Sequence, residues 1–162
     1  MGSGGAEGRI VFRGISNITL DVKGRMAMPT RYREPLQARC NGQLMITIDI
    51  HERCLLLYPQ PDWDVIEVKL DDMHGVNQQI RRVQRLLLGH ATEVEMDAHG
   101  RLLLPPPLRQ FAGLDRQCVL VGQGKKLELW DEAAWTERRE AWLRGETSGS
   151  AELPPELESL PL

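Results

Sequence analysis

The chain is poor in the features that announce an enzyme, a secreted scaffold or a membrane protein. Aromatic residues make up 5% of it, and no apolar run approaches the ~20 residues needed to cross a bilayer, so no membrane association is expected. Its three cysteines, Cys40, Cys54 and Cys118, are odd in number and lack C-x-x-C spacing, which argues against a disulfide framework or a zinc site. Cys54 and Cys118 fall in apolar segments and read as inert core thiols. The Gly-rich leader Met1–Gly8 has no apolar h-region, so no signal peptide is expected and the chain reads as cytoplasmic. Four histidines, at 51, 74, 90 and 99, are scattered without metal-ligand spacing. Nucleophile elbow, P-loop and dinucleotide fingerprint are all missing. Neither catalytic residues nor a metal or cofactor is expected, and the chain does not read as an enzyme.

What the sequence does contain is a duplication. Asp21-Val22-Lys23-Gly24-Arg25-Met26-Ala27-Met28-Pro29 returns as Asp97-Ala98-His99-Gly100-Arg101-Leu102-Leu103-Leu104-Pro105, a D-x-x-G-R-x-x-x-P motif at a constant offset of 76 residues. A β-type segment precedes each copy, Ile15–Leu20 and Ala91–Met96. A short basic stretch follows each, Thr30–Arg33 and Pro106–Arg109, and then two apolar runs around a polar turn. Those runs align at an offset of 72, so a small deletion separates motif from hairpin in the second copy. Internal repeats decide the fold class and are weighed before anything else.

The pattern predicts short strands joined by turns at Lys23-Gly24 and His99-Gly100, where glycine supplies the positive φ that such turns need. Met26–Met28 reads as a return strand stopped by Pro29. A short helical turn through Gln37 follows, limited by Pro35. Helices are expected over 62–70, 77–88 and 131–144, capped by Asp62, Asn77 and Asp131, with Gly89 closing the second. From Gly145 on, Gly, Ser, Pro and Glu dominate and predict a mobile acidic tail over 145–162. A merged β core from both copies is expected, with the helices outside it.

Net charge is −3, but its distribution is blocky. Residues 9–39 carry a net +5, 40–80 a net −5, 81–127 a net +4 and 128–162 a net −6. Each basic block holds one copy of the motif. Local clustering, not total charge, makes an electrostatic footprint for nucleic acid; the other reading is that acidic and basic blocks neutralise one another within or between subunits. Arg81, Arg82 and Arg85 on the middle helix read as a solvated face or as partners for acidic helices, with phosphate contact the minor alternative. Asp21 and Asp97 stand four residues before an arginine across a tight turn, which favours a salt bridge over acid–base chemistry. Two readings of Arg25 and Arg101 remain open. Each closes its turn on its aspartate, or each presents a planar fork that grips guanine or clamps phosphate.

The segments D-V-K-G-R-M-A-M-P-T-R-Y-R, T-I-D-I-H-E-R-C-L-L-L-Y-P, R-R-V-Q-R-L-L-L-G-H-A-T-E, D-A-H-G-R-L-L-L-P and V-G-Q-G-K-K-L-E-L-W-D resemble the MraZ family, bacterial transcriptional regulators encoded at the head of the division and cell wall gene cluster. The resemblance covers about Val11 to Leu143. It implies an α+β fold in which two tandem SpoVT/AbrB-type swapped-hairpin units, 15–62 and 91–134, pack as an intrachain pseudo-dimer barrel. Linking helices would occupy 63–90 and a C-terminal helix 135–144. It also implies a ring-like homo-oligomer larger than a dimer, nucleoid-associated, that binds promoter DNA carrying short direct repeats and typically represses the cluster. Carried onto this sequence, Arg25 and Arg101 become the leading DNA contacts, with Lys23 beside the first; Arg13, Arg31 and Arg33 of the surrounding basic block complete the candidate DNA-binding set. Asp21, Gly24, Asp97 and Gly100 shape the motif. His99 stands where the first copy has Lys23, so equal contributions are not expected. The competing class is an oligomeric protein-interaction or antitoxin-like module on the same fold.

Overall fold

Alternation of buried and exposed residues explains the strands that carry the motif. In β2 (Arg25–Ala27) and β6 (Arg101–Leu103), Met26 and Leu102 are wholly buried while their neighbours face outward. The two strands pair antiparallel as a separate ribbon, with Met26 opposite Leu102 at its centre. These two residues hold equivalent places in the two repeats, so a pseudo-twofold axis passes between them. The computed structural model describes residues 9–146 and 154–161. The leader Met1–Gly8, and 147–153 and 162 of the expected tail, lie outside the described residues; within that tail, Pro155–Glu158 forms a single helical turn (α6).

A six-stranded antiparallel sheet supplies the rest of the core. It comprises β1 (Ile15–Thr19), β3 (Gln43–Ile48), β4 (Leu55–Pro59), β5 (Thr92–Glu95), β7 (Gln117–Gly122) and β8 (Leu127–Asp131), in the order β1-β7-β8-β4-β3-β5. Pairings cross between the repeats: β1 with β7, β4 with β8, and β3 with β5. Leu44, Ile46, Ile48, Leu55, Leu57, Leu120 and Leu129 share one buried cluster with Met26, Met28, Leu102 and Leu104 of the ribbon region. The merged β core expected from the duplication is present. The closed barrel is not. Each motif turn is closed by backbone bonds, Asp21 N–H to the Arg25 carbonyl and Gly24 N–H to the Asp21 carbonyl in the first and Asp97 N–H to the Arg101 carbonyl and Gly100 N–H to the Asp97 carbonyl in the second, and neither turn continues into a ladder between its flanking strands. Among the described residues β1 pairs only with β7 and β2 only with β6, so no ladder joins sheet to ribbon and the sheet stays open at β1 and β5.

Helix α1 (Thr30–Cys40) follows the first motif and α4 (Pro106–Phe111) the second. The first runs to Cys40, beyond the expected end at Gln37, although Pro35 lies inside it. Pro35 is exposed and so is Arg31, whose carbonyl the proline leaves unbonded, while buried Tyr32 and Leu36 hold the helix to the core. Helices α2 (Gln60–Asp71) and α3 (Gln78–His90) cover the other face of β3 and β4. There Thr47, fully buried, donates to the Leu87 carbonyl at 2.7 Å. Asn77 caps α3 as expected, its side chain accepting from Gln79 and Ile80 N–H. Asp62 does not cap α2; it lies in the first turn behind Pro59. Gly89 falls within α3, which ends at Ala91.

The chain divides into two compact units, the first reaching to Asp131 and the second starting at Glu132. The strands of both repeats therefore belong to one unit. In the second, α5 (Glu132–Leu143) sets Trp135 edge-on to Trp142 at 5.9 Å. No helix among the described residues is long and apolar enough to cross a membrane.

Candidate nucleic-acid interface

The two motif turns are built the same way. In the first, Asp21 Oδ1 accepts the backbone N–H of Lys23 and of Arg25, each at 2.9 Å, and Oδ2 accepts Arg25 Nε at 2.7 Å. In the second, Asp97 Oδ1 accepts from His99 N–H at 2.8 Å and Arg101 N–H at 2.9 Å, and Oδ2 accepts Arg101 Nε at 2.9 Å. Gly24 and Gly100 hold φ of 83° and 76°, a region that a side chain disfavours. Bonds to the charged form lower a carboxyl pKa. The Arg25 backbone N–H, with the Arg25 guanidinium and Lys23 N–H, holds Asp21 at about 2 against an ordinary 3.8. Asp97 is lowered in the same way, first by Arg101 N–H, then by His99 N–H and the Arg101 side chain.

Each aspartate engages its arginine through Nε. Among the described residues no hydrogen bond is made by Nη1 or Nη2 of Arg25 or Arg101, which are 28% and 35% exposed. The two readings of these arginines are thus compatible: one edge of the guanidinium braces the turn, and the terminal fork stays open to a ligand. That fork matches the O6/N7 edge of guanine or two phosphate oxygens. Arg25 sits opposite Leu103 and Arg101 opposite Ala27, so the arginines lie diagonally on the outer face of one ribbon, about 7 Å apart along the strand direction. A two-stranded ribbon is one of the elements that the ~12 Å major groove of B-DNA admits.

Comparison with known proteins places the chain in a family. The sequence model of the family described as "MraZ protein, putative antitoxin-like" matches residues 11–86 and 87–143. The chain belongs to the MraZ family. It is 55% identical to Transcriptional regulator MraZ of Thioalkalivibrio sulfidiphilus over 152 residues, covering 94% of this chain and all of that protein. It is 53% identical to the protein of the same name from Coxiella burnetii and 54% identical to that from Klebsiella pneumoniae, with the same coverage. Transcriptional regulation, the role that these relatives' names give, is not an enzyme class.

Of the other candidate DNA-binding residues, Lys23 is exposed on the first turn. Arg33 belongs to the ribbon region: its Nε donates to the Met28 carbonyl at 2.7 Å, and its guanidinium packs on Gly100. Arg13 and Arg31 form a separate group at the start of β1. Arg31 lies over the Tyr32 ring at 4.5 Å and donates to Ser16 Oγ at 2.9 Å, and Tyr32 Oη donates to the Arg13 carbonyl at 2.6 Å. Ser16 stands about 16 Å from Asp21 along an extended segment. Arg81, Arg82 and Arg85 line a concavity with Gln78 and Gln79 and no residue of either motif. One ribbon-region arginine escaped the sequence reading, Arg109, which donates from Nε to the Leu104 carbonyl at 3.1 Å and packs on Gly24. The available signal was its position 76 residues after Arg33.

Proposed function

We propose that this chain is a transcriptional regulator that binds double-stranded promoter DNA through Arg25 and Arg101, entering the major groove with the β2–β6 ribbon. The observation that carries this reading is the pair of aspartate-braced arginines, Nη groups open, on the outer face of one ribbon. The names of its relatives agree with it. On this reading the interleaved strand pairings mark two tandem swapped-hairpin units, residues 15–62 and 91–134, linked by 63–90 and acting as an internal pseudo-dimer. One such ribbon offers too few side chains for a tight specific site. A ring-like homo-oligomer larger than a dimer, assembled through the alternating charge blocks, links several ribbons on short direct repeats and raises affinity without new contacts. The target is the chain's own promoter in the division and cell wall cluster, which it represses, as a cytoplasmic and nucleoid-associated protein.

The test is a shift assay and footprint on DNA immediately upstream of the protein's own gene, with sedimentation of the same preparation. Protection of regularly spaced repeats, lost in Arg25→Ala while circular dichroism and oligomer size are unchanged, is the expected result. A folded protein with no preference for that DNA overturns the reading in favour of a protein-interaction module.

A further inference from the structure

Each motif turn is clasped by the other repeat. The Leu104 N–H, from the second repeat, donates to the Gly24 carbonyl of the first at 3.1 Å; the Met28 N–H, from the first, donates to the Gly100 carbonyl of the second at 2.8 Å. An arginine completes each clasp. Arg109 is anchored by Nε on the Leu104 carbonyl, and its guanidinium lies so close to Gly24 that a Cβ there would fall 2.5 Å from Cζ. Arg33 is anchored by Nε on the Met28 carbonyl, and a Cβ on Gly100 would fall onto its Nε and Cδ. The positive φ at each glycine makes a side chain there strained, and a Cβ would in addition have to push the arginine guanidinium aside.

We infer that Arg109 and Arg33 are crossed positioning residues: Arg109 sets the turn that presents Arg25, and Arg33 sets the turn that presents Arg101. A guanidinium suits this task because it donates along its edge while its flat face packs on a peptide; an ammonium offers only a point charge. Each presenting turn is then held by the other repeat, so loss of Arg109 or Arg33 is read out in the opposite repeat's turn.

The affinity arm of the test rests on the DNA-binding proposal above; a second arm does not. In the first, fluorescence anisotropy at low salt, with a duplex from upstream of the protein's own gene, is run on Arg109→Ala and Arg33→Ala alone and in Arg25→Ala and Arg101→Ala backgrounds. Contacting groups couple and independent ones add. Arg109→Ala should weaken binding on the order of tenfold in wild type and in Arg101→Ala, but about twofold or less in Arg25→Ala. Arg33→Ala should show the mirror pattern. Arg109→Lys and Arg33→Lys should behave like the alanine variants, whereas phosphate contacts would be largely rescued by lysine and would add in every background. Either of those results, or coupling to the arginine of the same repeat, overturns the inference.

In the second arm, hydrogen exchange by mass spectrometry on the DNA-free protein compares residues 21–26 with 97–102. Arg109→Lys should speed exchange in the first segment alone and Arg33→Lys in the second alone; the reverse or a uniform increase overturns it. If Arg25→Ala and Arg101→Ala bind DNA like wild type, the DNA reading fails while the exchange pattern still decides the positioning role.

Discussion

In the first repeat the strand leading into the motif reads I-S-N-I-T, carries no charge, and ends at a turn with Lys23 exposed. In the second it reads T-E-V-E, exposes Glu93 and Glu95, and ends at a turn where His99 takes that place. The helix after the motif spans eleven residues in the first repeat and six in the second, but the deletion inferred from the shift in offset is divided: two residues are lost between ribbon strand and hairpin and two in the hairpin turn. Against these differences, the Asp–Arg brace, the glycine turn and the crossed arginine keep the same bonds in both copies. Backbone geometry at the ribbon is thus twofold while its electrostatic surroundings are not. The comparison teaches that presentation of the arginines is symmetric and long-range attraction is not.

The shared geometry can be broken first. Met26→Ala and Leu102→Ala remove fully buried side chains at the centre of the ribbon, each at a cost of about 2–5 kcal/mol. Denaturant unfolding should give similar losses for the two, since they occupy equivalent places; a large inequality would mean the pseudo-symmetry does not extend to packing. Next come the arginines. Arg25→Ala should remove about 1–3 kcal/mol of base discrimination per contact, and Arg101→Ala a smaller amount, measured by anisotropy against specific and scrambled duplexes. Equal losses would show that the different surroundings do not matter to base reading.

A gentler probe exchanges the tips. Lys23→His should flatten the dependence of log affinity on log salt by about 0.9 per charge that neutralises a phosphate, and His99→Lys should steepen it similarly. If neither slope moves, the tips do not approach the backbone of DNA. Glu93 and Glu95 line one concavity with Lys23 and Arg109, so Glu93→Gln should strengthen binding by about 1 kcal/mol or less, visible as a small fall in Kd that disappears at high salt. Acid supplies the last test. Both motif carboxylates have lowered folded-state pKa values, so their contribution to stability is present above the ordinary value of 3.8 and fades as pH falls below it, for Asp21 through about 2. Carboxyl-carbon NMR titration should place both transitions below 3.8. Asp21→Asn should remove that acid-dependent step from the first turn alone.

Several of these features were legible before any coordinates. The duplicated D-x-x-G-R is a local signal, because a short carboxylate, a residue with positive φ and an arginine four positions on suffice to define the braced turn. Asn77 was legible as a cap for the same reason: its bonds reach two and three residues ahead. Proline misled where tertiary contacts outweighed local cost, as at Pro35, and it stood at the N-caps of α1, α2 and α4 in place of the expected polar side chain at Asp62. Arg33 was singled out by charge alone, with no hint that it reaches the opposite repeat.

By itself, then, the sequence determined the number of units, the chemistry of each turn and the residues that alternate into the core, all of which depend on neighbours within a few positions. Which strand lies beside which was decided only in the tertiary structure. An apolar alternation says that Met26 and Leu102 must be buried, yet many partners 76 residues away would bury them equally well. The pairing is selected by the joint packing of ribbon and sheet around one core. The open sheet and the crossed positions of Arg33 and Arg109 follow from that choice, because only after β2 has met β6 does each guanidinium find the other repeat's glycine within reach.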